Sequence, residues 1–275
     1  MKKKSRWGTV VLVLILLVGL SLLLYPTFSD YWNSFHQTQA IASYSKEVSQ
    51  LDDETFEELK EEAIAYNNSL IGKSNRLNLS KADEKEYESL LDVTGTGIMG
   101  YIEISKIRCS LPIYHGTDDA VLQIAIGHIS GSSLPVGGES THCVLSGHRG
   151  LPSAKLFSKL DQLEVGDTFV LRVLDDVLTY EVDQILIVEP QEINSLQIEE
   201  GKDLCTLVTC TPYGVNTHRL LVRGHRIENL EDSMYARITA DATQIDSMIV
   251  APVLFIPLLL ILIIVLLIPR KKGDK

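Results

Sequence analysis

The sequence contains few cysteines and lacks the patterns that are typical of metal sites. Its 275 residues include four cysteines, and no two of them form a CxxC motif. The histidines do not stand at the spacings of zinc ligands either. The formal net charge is −11, whereas phosphate binding needs clustered cations. We therefore expect no metal and no cofactor, and we do not expect nucleic acid as a partner.

The positions of the cysteines also limit which disulfides could form. A disulfide is compatible with the sequence if the central part of the chain lies outside the cell. Cys205 and Cys210 lie five residues apart on one predicted strand, which puts their side chains on opposite faces and too far apart to bridge. The pair to test is then Cys109 with Cys143.

Two long stretches lack charged residues. Residues 7–29 and residues 247–269 are each long enough for a helix that crosses a hydrocarbon core of about 30 Å. Basic residues precede the first stretch and follow the second, and basic flanks tend to stay cytoplasmic. We expect both termini in the cytoplasm and residues 30–246 outside the cell. A cleaved signal peptide is the alternative for the first stretch, but no convincing small-x-small cleavage site follows it.

The region between the first stretch and residue 97 has a helical and then an irregular pattern. Apolar residues recur at helical spacing within residues 34–70, with acidic residues between them. The Asp52-Asp53 pair is suited to cap a second helix that begins there. Residues 72–97 are polar, with a short helix predicted around residues 83–91. The Gly95-Thr96-Gly97 turn then leads into a different pattern.

From Ile98 onward, short apolar runs alternate with turn signals. This pattern favours a closed β-barrel over a parallel sheet. A short helix is predicted over residues 153–163, and Asp175-Asp176 is predicted as a hairpin turn. The candidate strands cover residues 99–104, 111–114, 142–146, 168–174, 179–188, 204–210 and 219–223.

Cysteine, histidine and arginine occur at the ends of these runs. Cys210 ends the run Thr206-Leu207-Val208-Thr209, and Arg219 follows nine positions later. His148 follows the run Val144-Leu145-Ser146-Gly147. These residue types supply a thiolate nucleophile, a proton shuttle and a cation for a developing oxyanion, which are the groups that acyl transfer needs.

Each of these residues has alternatives. A cysteine at the end of a strand is most often a small buried apolar residue. Arg219 competes with Arg223 and Arg226 for the role of the cation. His142 stands on an apolar strand, which indicates a structural role. The other competing histidines are His115, His128, His218 and His225.

The sequence around these positions resembles the sortases. The resemblance is carried by Thr206 to Cys210, by the following Thr211-Pro212-Tyr213-Gly214, and by Ser146-Gly147-His148-Arg149-Gly150. Further segments look like those of the pilin-polymerising class C sortases. They are Leu24-Tyr25-Pro26, Met99-Gly100-Tyr101-Ile102, Leu111-Pro112-Ile113-Tyr114-His115-Gly116, Ser133-Leu134-Pro135-Val136-Gly137-Gly138 and Leu220-Leu221-Val222-Arg223-Gly224-His225-Arg226.

The resemblance implies a fold and an activity. The fold is an eight-stranded sortase-type β-barrel with N-terminal helices and, in class C, a transmembrane helix at each end. The activity is cleavage of an LPxTG-like sorting signal between Thr and Gly through a thioester. The acyl group then passes to a lysine amine of another pilin subunit. The implied catalytic residues are Cys210 as nucleophile, His148 as general acid and base, and Arg219 for oxyanion stabilisation.

Two alternatives to this function remain at the level of sequence. One is a sortase that attaches surface proteins to the cell wall, and the other is a membrane module that binds peptides without cleaving them. A cell-wall sorting signal is an alternative for residues 247–269, but no LPxTG-like pentapeptide precedes them. The chain also departs from class C in one place. The lid motif Asp-Pro-aromatic is missing near residues 76–83, so we expect a mobile segment there and an accessible Cys210 thiol.

The resulting domain organisation has six parts. They are a basic tail and membrane anchor (1–29), a helical segment with a lid region (30–97), the barrel (98–228), a linker (229–246), a second span (247–269) and a basic tail (270–275).

Overall fold

The computed structural model describes residues 6–73 and 75–229. The predicted second span, residues 247–269, lies outside the described residues, as do residues 230–246 of the linker and the C-terminal tail.

A single long helix, α1 (Arg6–Val48), opens the chain and continues through the predicted boundary between residues 29 and 30. The most apolar window in it has a mean hydropathy of 2.5, and none of that window is buried in the protein. It is the one helix among the described residues that is long and apolar enough to cross a membrane. The first predicted span is therefore a helix with suitable length and composition.

Two capped helices follow. The carboxylate of Asp52 accepts a hydrogen bond from the Thr55 backbone N–H at 2.8 Å, which confirms the predicted start of α2 (Asp53–Leu70). In α3 (Lys81–Ser89), Ser80 and Asp83 form a reciprocal capping box. A one-turn helix, α4 (Asp119–Leu122), occurs later in the chain, in the connection between two strands.

The predicted eight-stranded β-barrel is confirmed. Around the closed sheet the strand order is β1-β2-β3-β4-β7-β8-β6-β5. The pairs β2–β3 and β4–β7 are parallel, and the others are antiparallel. The strands are β1 (Ile98–Ile104), β2 (Cys109–His115), β3 (Ile126–His128), β4 (Thr141–Ser146), β5 (Thr168–Val173), β6 (Asp176–Val188), β7 (Asp203–Thr211) and β8 (His218–Ile227).

Three local predictions were wrong. β3 was missed because it has only three residues, too few for a period-two pattern. Residues 153–163 form turns with a short 3₁₀ segment at Leu160–Gln162 in place of the predicted helix. The hairpin turn is Leu174-Asp175, because Val173 pairs with Asp176. Leu174 takes a positive φ of 53° at the first position of this two-residue turn, as hairpin turns of the primed types require there.

The second half of α1 packs on the barrel. Its buried residues Ile41, Tyr44 and Val48 form a cluster with Ile98 and Tyr101 of β1. The Tyr44 hydroxyl donates to the Met99 carbonyl at 2.8 Å and accepts from the Leu174 backbone N–H at 2.7 Å. It therefore joins α1 to β1 and to the β5–β6 turn at a site without solvent.

We predict that Tyr44→Phe destabilises the protein by about 1–3 kcal/mol, because it leaves a buried carbonyl and a buried N–H without their partner. Tyr114→Phe is the matched control, since no described residue hydrogen-bonds the Tyr114 hydroxyl, and we expect its effect to stay within about 0.5 kcal/mol. Thermal unfolding of the full chain measures both. Equal effects of the two substitutions would contradict the proposed role of Tyr44.

Candidate active site

The parallel pairing of β4 with β7 brings two of the predicted site residues to the same edge of the barrel. Ser146 is the register partner of Val208. The ladder continues one step further, because the Gly147 N–H donates to the Val208 carbonyl at 3.0 Å. The next position on the β4 side is His148, and the corresponding position on β7 is Cys210. The structure thus places His148 beside the strand position of the thiol.

The antiparallel pairing of β7 with β8 brings in the third predicted residue. Cys210 is directly opposite Arg219, and opposite residues in such a pair have Cβ atoms about 4.5–5.5 Å apart. Cys210 therefore has Arg219 directly opposite on β8, and extending the β4–β7 register by two residues puts His148 on its other side. The hydrogen bonds of the strands hold the backbones of these residues. All three residues are half-buried, so their side chains are accessible from the surface.

The arginines differ in what they bind. The Arg219 guanidinium donates to the main-chain carbonyls of Asn216, at 3.4 Å, and His218, at 3.2 Å. No carboxylate among the described residues forms an ion pair with it. Arg223 instead donates to both oxygens of Asp183 at 3.0 Å and to Glu199 at 2.8 Å. Since the Arg223 charge is already neutralised, Arg219 is the cation beside Cys210 that can interact with a new anion.

Arg226 lies further along β8 and has a structural environment. It donates to the carbonyls of Val177 and Thr179, and its guanidinium lies 5.9 Å from the centre of the Tyr180 ring. These contacts hold it away from the end of the strand where Cys210 and Arg219 meet.

Three of the competing histidines are held by contacts inside the protein. His142 hydrogen-bonds the Gln197 carbonyl and the Thr206 hydroxyl, each at 2.7 Å, and burial lowers its pKa to about 4. The fully buried His128 contacts the Tyr87 hydroxyl at 2.9 Å and the Ser133 carbonyl at 2.8 Å.

His115 lies between the carbonyls of Gly97 and Leu90, at 3.0 and 2.7 Å. Burial lowers its pKa. These hydrogen bonds give His115, His128 and His142 structural functions. His225 pairs with Leu204 near the other end of β7, and His218 pairs with Thr211, whose position on β7 alternates with that of Cys210. His148 is then the histidine that the extended ladder places next to Cys210.

The thiols also differ in burial. Cys143 lies opposite Cys205 on the parallel pair β4–β7, whereas Cys109 pairs with Ile104 on β1. The strand pairing therefore does not bring Cys109 opposite Cys143, the pair singled out for testing, and all four cysteines are free. Burial raises the pKa of Cys109 to about 12 and that of Cys205 well above its usual range.

No group of three or more potential metal ligands occurs among the described residues.

Two residues next to the site were not singled out from the sequence. Thr209 is buried, and its hydroxyl donates to the Gly147 carbonyl at 2.7 Å. This bond fixes the backbone just before His148. Gly147 itself has no room for a side chain, because a Cβ there would lie 2.7 Å from the Phe157 ring. The threonine in the Thr-Cys pair was the available signal, but its partner is 62 residues away in sequence.

Arg149 connects the two loops that carry the site. It donates to the Thr211 hydroxyl at 3.3 Å and to Asp161 at 2.5 Å, and its guanidinium lies 5.7 Å from the centre of the Tyr213 ring. The loop after His148 is thus tied to the loop after Cys210. The residue was visible in the sequence motif, but its contacts were not.

An apolar floor lies next to the site on the outside of the barrel. Alternation along β7 puts Val208 on the face of Cys210, whereas Leu207 belongs to the interior cluster. Leu196, from the loop between β6 and β7, packs over this outer face. The buried members of the apolar floor are Val144, Leu196, Val208 and Leu221, with Ile129, Leu186 and Val188 at its margin.

The segment before α3 closes one end of this floor. Arg76 is buried and donates to the carbonyl of Gly131, at 2.8 Å, and to that of Leu196. Its backbone packs so closely that a Cβ on Gly131 would lie 1.9 Å from the Arg76 carbonyl oxygen. We expected a mobile segment here, but Arg76 holds it between the loop after β3 and the loop after β6. The guanidinium anchors this segment to both loops, which composition alone does not reveal.

Comparisons with known proteins agree with this geometry. Residues 102–227 match the model of the sortase domain. The crystal structure of sortase C1 from Streptococcus agalactiae has 50% sequence identity and a TM-score of 0.67, covering 70% of this chain and 99% of that one. The chain belongs to the sortase family.

Two further relatives show how far the similarity extends. A Streptococcus pneumoniae sortase C structure has 42% identity and a TM-score of 0.62, covering 70% of this chain and 97% of that one. Sortase D of Bacillus subtilis is 33% identical over 131 residues, which are 46% of this chain and 63% of that protein. Sortases are cysteine transpeptidases, and the solved relatives of this chain with 40–50% identity include several class C members.

The Thr209 hydroxyl gives a prediction about the position of His148. We expect Thr209→Val to lower kcat about tenfold with little change in KM, because a small displacement of a catalytic group is costly. Thr209→Ser keeps the hydroxyl and should retain most of the activity. Steady-state cleavage of a sorting peptide by the three proteins measures this. A valine variant as active as the serine variant would show that the hydrogen bond does not position the site.

Proposed function

We propose that this sortase is a membrane-anchored class C transpeptidase. It cleaves an LPxTG-like sorting signal between Thr and Gly and transfers the acyl group to a lysine amine of another pilin subunit, which polymerises pili. The observation that carries the proposal is the pairing of Cys210 with Arg219 across β7 and β8, with His148 at the next step of the β4–β7 ladder. The similarity to class C structures supports the choice of class.

The first half of the proposed reaction forms a thioester. The Cys210 thiolate attacks the carbonyl carbon of the Thr–Gly peptide bond, and the oxygen becomes an oxyanion. Arg219, which has no carboxylate partner among the described residues, stabilises that charge. His148 in its protonated form gives a proton to the glycine nitrogen as the C–N bond breaks. The products are an acyl-enzyme and a free amine on the leaving peptide.

The second half regenerates the thiolate. His148, now neutral, takes a proton from the incoming lysine amine as its nitrogen attacks the thioester carbonyl. A second oxyanion forms at the same place beside Arg219. When the C–S bond breaks, the new isopeptide bond remains on the product and the sulfur returns to its anionic form. The histidine is protonated again, so the cycle is balanced.

The apolar floor supports a peptide substrate. It starts at Val208, two positions before Cys210 on the same face of β7, and it continues to Val144 and Leu221 on the neighbouring strands. The buried members of the floor are covered by Leu196, so its half-buried margin, Ile129, Leu186 and Val188, is the part that can contact the leucine and proline of an extended segment. Leu196 and Arg76 then bound the end of the floor away from Cys210.

The location of the protein is part of the proposal. α1 has the length and composition of a membrane anchor, and its basic N-terminal flank favours a cytoplasmic start. We propose that both termini are cytoplasmic and that the barrel is extracellular, with the domain limits predicted above. Pilins or surface proteins with sorting signals are the proposed partners. A sortase that attaches proteins to the cell wall would differ only in the acceptor amine.

The nucleophile provides the direct test. We expect Cys210→Ala to lose several orders of magnitude in the rate of peptide cleavage while the thermal unfolding of the protein is unchanged. Cys205→Ala and Cys143→Ala should keep most of the activity. Mass spectrometry of the acyl-enzyme formed with a sorting peptide identifies the modified residue. An adduct on another cysteine would refute the assignment, and unchanged binding without any thioester would favour a non-catalytic peptide-binding module.

The oxyanion role of Arg219 is tested by a change that keeps the charge. We expect Arg219→Lys to lower kcat by about 100-fold, because an ammonium does not reproduce the planar fork of guanidinium donors. In contrast, Arg223→Lys should mainly lower stability, since Arg223 is held by Asp183 and Glu199. Kinetics and thermal unfolding of both variants separate the two effects. An active Arg219→Lys variant together with a stable but inactive Arg223→Lys variant would show that the wrong arginine was chosen.

A further inference from the structure

A row of polar side chains fixes α1 to the part of the barrel that carries the active-site loop. The Asp30 carboxylate accepts from the Lys155 backbone N–H at 2.9 Å and pairs with the Lys155 ammonium at 2.8 Å. Asn33 donates to the Ser153 carbonyl at 2.8 Å, and Gln37 donates to the Ile124 carbonyl at 2.6 Å. Positions 30, 33 and 37 lie on one face of a helix, so this face of α1 is locked to the catalytic domain.

The same face continues into the apolar contact described above. Ile41, Tyr44 and Val48 pack on β1 further along the helix. Contacts therefore extend from Asp30 to Val48, and α1 is helical throughout, with Pro26 inside the helix four residues before Asp30. The part of α1 from Asp30 to Val48 is attached over five turns, so it cannot swing relative to the barrel without losing these contacts.

The attachment begins where the apolar part of α1 ends. No charged residue occurs in residues 7–29, and Asp30 is the first one after them. The surrounding turns carry the exposed aromatic residues Tyr25, Phe28, Tyr31, Trp32 and Phe35. Aromatic rings gather at the level of the lipid headgroups. The boundary of the bilayer therefore falls in the turns around Asp30.

The active site lies a short distance from this boundary. The Phe157 N–H donates to the His148 carbonyl at 3.2 Å, so the loop after His148 folds back on itself. Lys155 is two residues before Phe157 and contacts Asp30 directly. With 3.8 Å between successive Cα atoms and two hydrogen bonds, the backbone of His148 lies within about 20 Å of Asp30.

We propose that α1 holds the catalytic domain against the phospholipid headgroups, with the loop of residues 151–155 at the membrane surface and the active site opening beside it. The inference rests on the membrane anchor of the proposed function. The loop suits this place, because Pro152 is exposed and Lys155, the one charged residue of the loop, is paired with Asp30. A substrate must then present its cleavage point close to the bilayer.

Lipid-depth quenching tests the position of the loop. The full chain carries Cys210→Ala, and a fluorescent label is placed on Pro152→Cys or, as a control, on Asp175→Cys. Asp175 is exposed and follows Leu174, which binds Tyr44. Tyr44 is fourteen residues beyond Asp30, so the control lies about 21 Å further along α1. The protein is reconstituted in phosphatidylcholine–phosphatidylglycerol vesicles that contain nitroxide-labelled lipid.

We expect the label at position 152 to be quenched at least about twofold more than the label at position 175, because only the former lies within the headgroup layer. Equal quenching at the two positions, or stronger quenching at position 175, would overturn the inference. A label at position 152 that is protected from lipid by a second copy of the chain would also overturn it. Cross-linking between copies through that position would reveal such a dimer.

A change in the length of α1 tests the functional consequence. Seven helix-forming residues inserted between Ser29 and Asp30 move the domain about 10 Å from the bilayer and rotate it by only about 20°. Cleavage of a sorting peptide on a short lipid tether should fall at least about fivefold, whereas cleavage of the same peptide free in solution should not change. Unchanged cleavage of the tethered peptide would contradict the inference.

The two readouts separate this inference from the proposed function. If the unmodified protein fails to cleave the free peptide, the proposed transpeptidase activity is refuted. The quenching experiment contains no catalytic step, and it then decides the position of the loop by itself. A protein that cleaves the free peptide but shows equal quenching at both positions supports the activity and refutes the membrane contact.

Discussion

The parallel pairing of β4 with β7 is the constraint on which the rest of the site depends. Parallel strands end at the same edge of a sheet, so the residue after β4 and the last residues of β7 must meet there. Gly147 extends the pairing by one hydrogen bond, and Thr209 fixes that extension with a second. The position of His148 is therefore determined by backbone hydrogen bonding and by the buried Thr209 hydroxyl, independently of contacts made by the His148 side chain.

The neighbouring pair, β7 with β8, adds the cation by a different rule. Antiparallel strands place opposite residues close together, and Cys210 is opposite Arg219. The choice between arginines then follows from charge. Arg223 stands four residues along the same face but is neutralised by Asp183 and Glu199. Because two carboxylates neutralise the Arg223 guanidinium, it would stabilise a transient anion only weakly. The Arg219 guanidinium binds main-chain carbonyls, so its positive charge is available to such an anion.

The sequence was informative where a pattern is local. Short apolar runs between turn signals identified seven of the eight strands, and the Asp52 cap marked the start of α2. It was not informative where the physical cause lies in a distant segment. Arg76 is polar and stands in a polar stretch, so composition favours mobility, yet two carbonyls from separate loops bind its guanidinium. Similarly, Cys143 lies opposite Cys205 because of the register between β4 and β7. The spacing of the cysteines along the chain does not reveal that register.

In the proposed membrane-anchored arrangement, α1 connects the barrel to the bilayer more strictly than a flexible tether would. A flexible linker of n residues lets a domain explore distances that grow with the square root of n, and the active site would then sample all orientations. Here the helix that carries the apolar run also carries Asp30, Asn33 and Tyr44, each bound to the barrel. The orientation of the catalytic edge is consequently set by the same hydrogen bonds that stabilise the fold. In this arrangement the substrate has to move its cleavage site to the active site, because the catalytic domain has a fixed orientation relative to the bilayer.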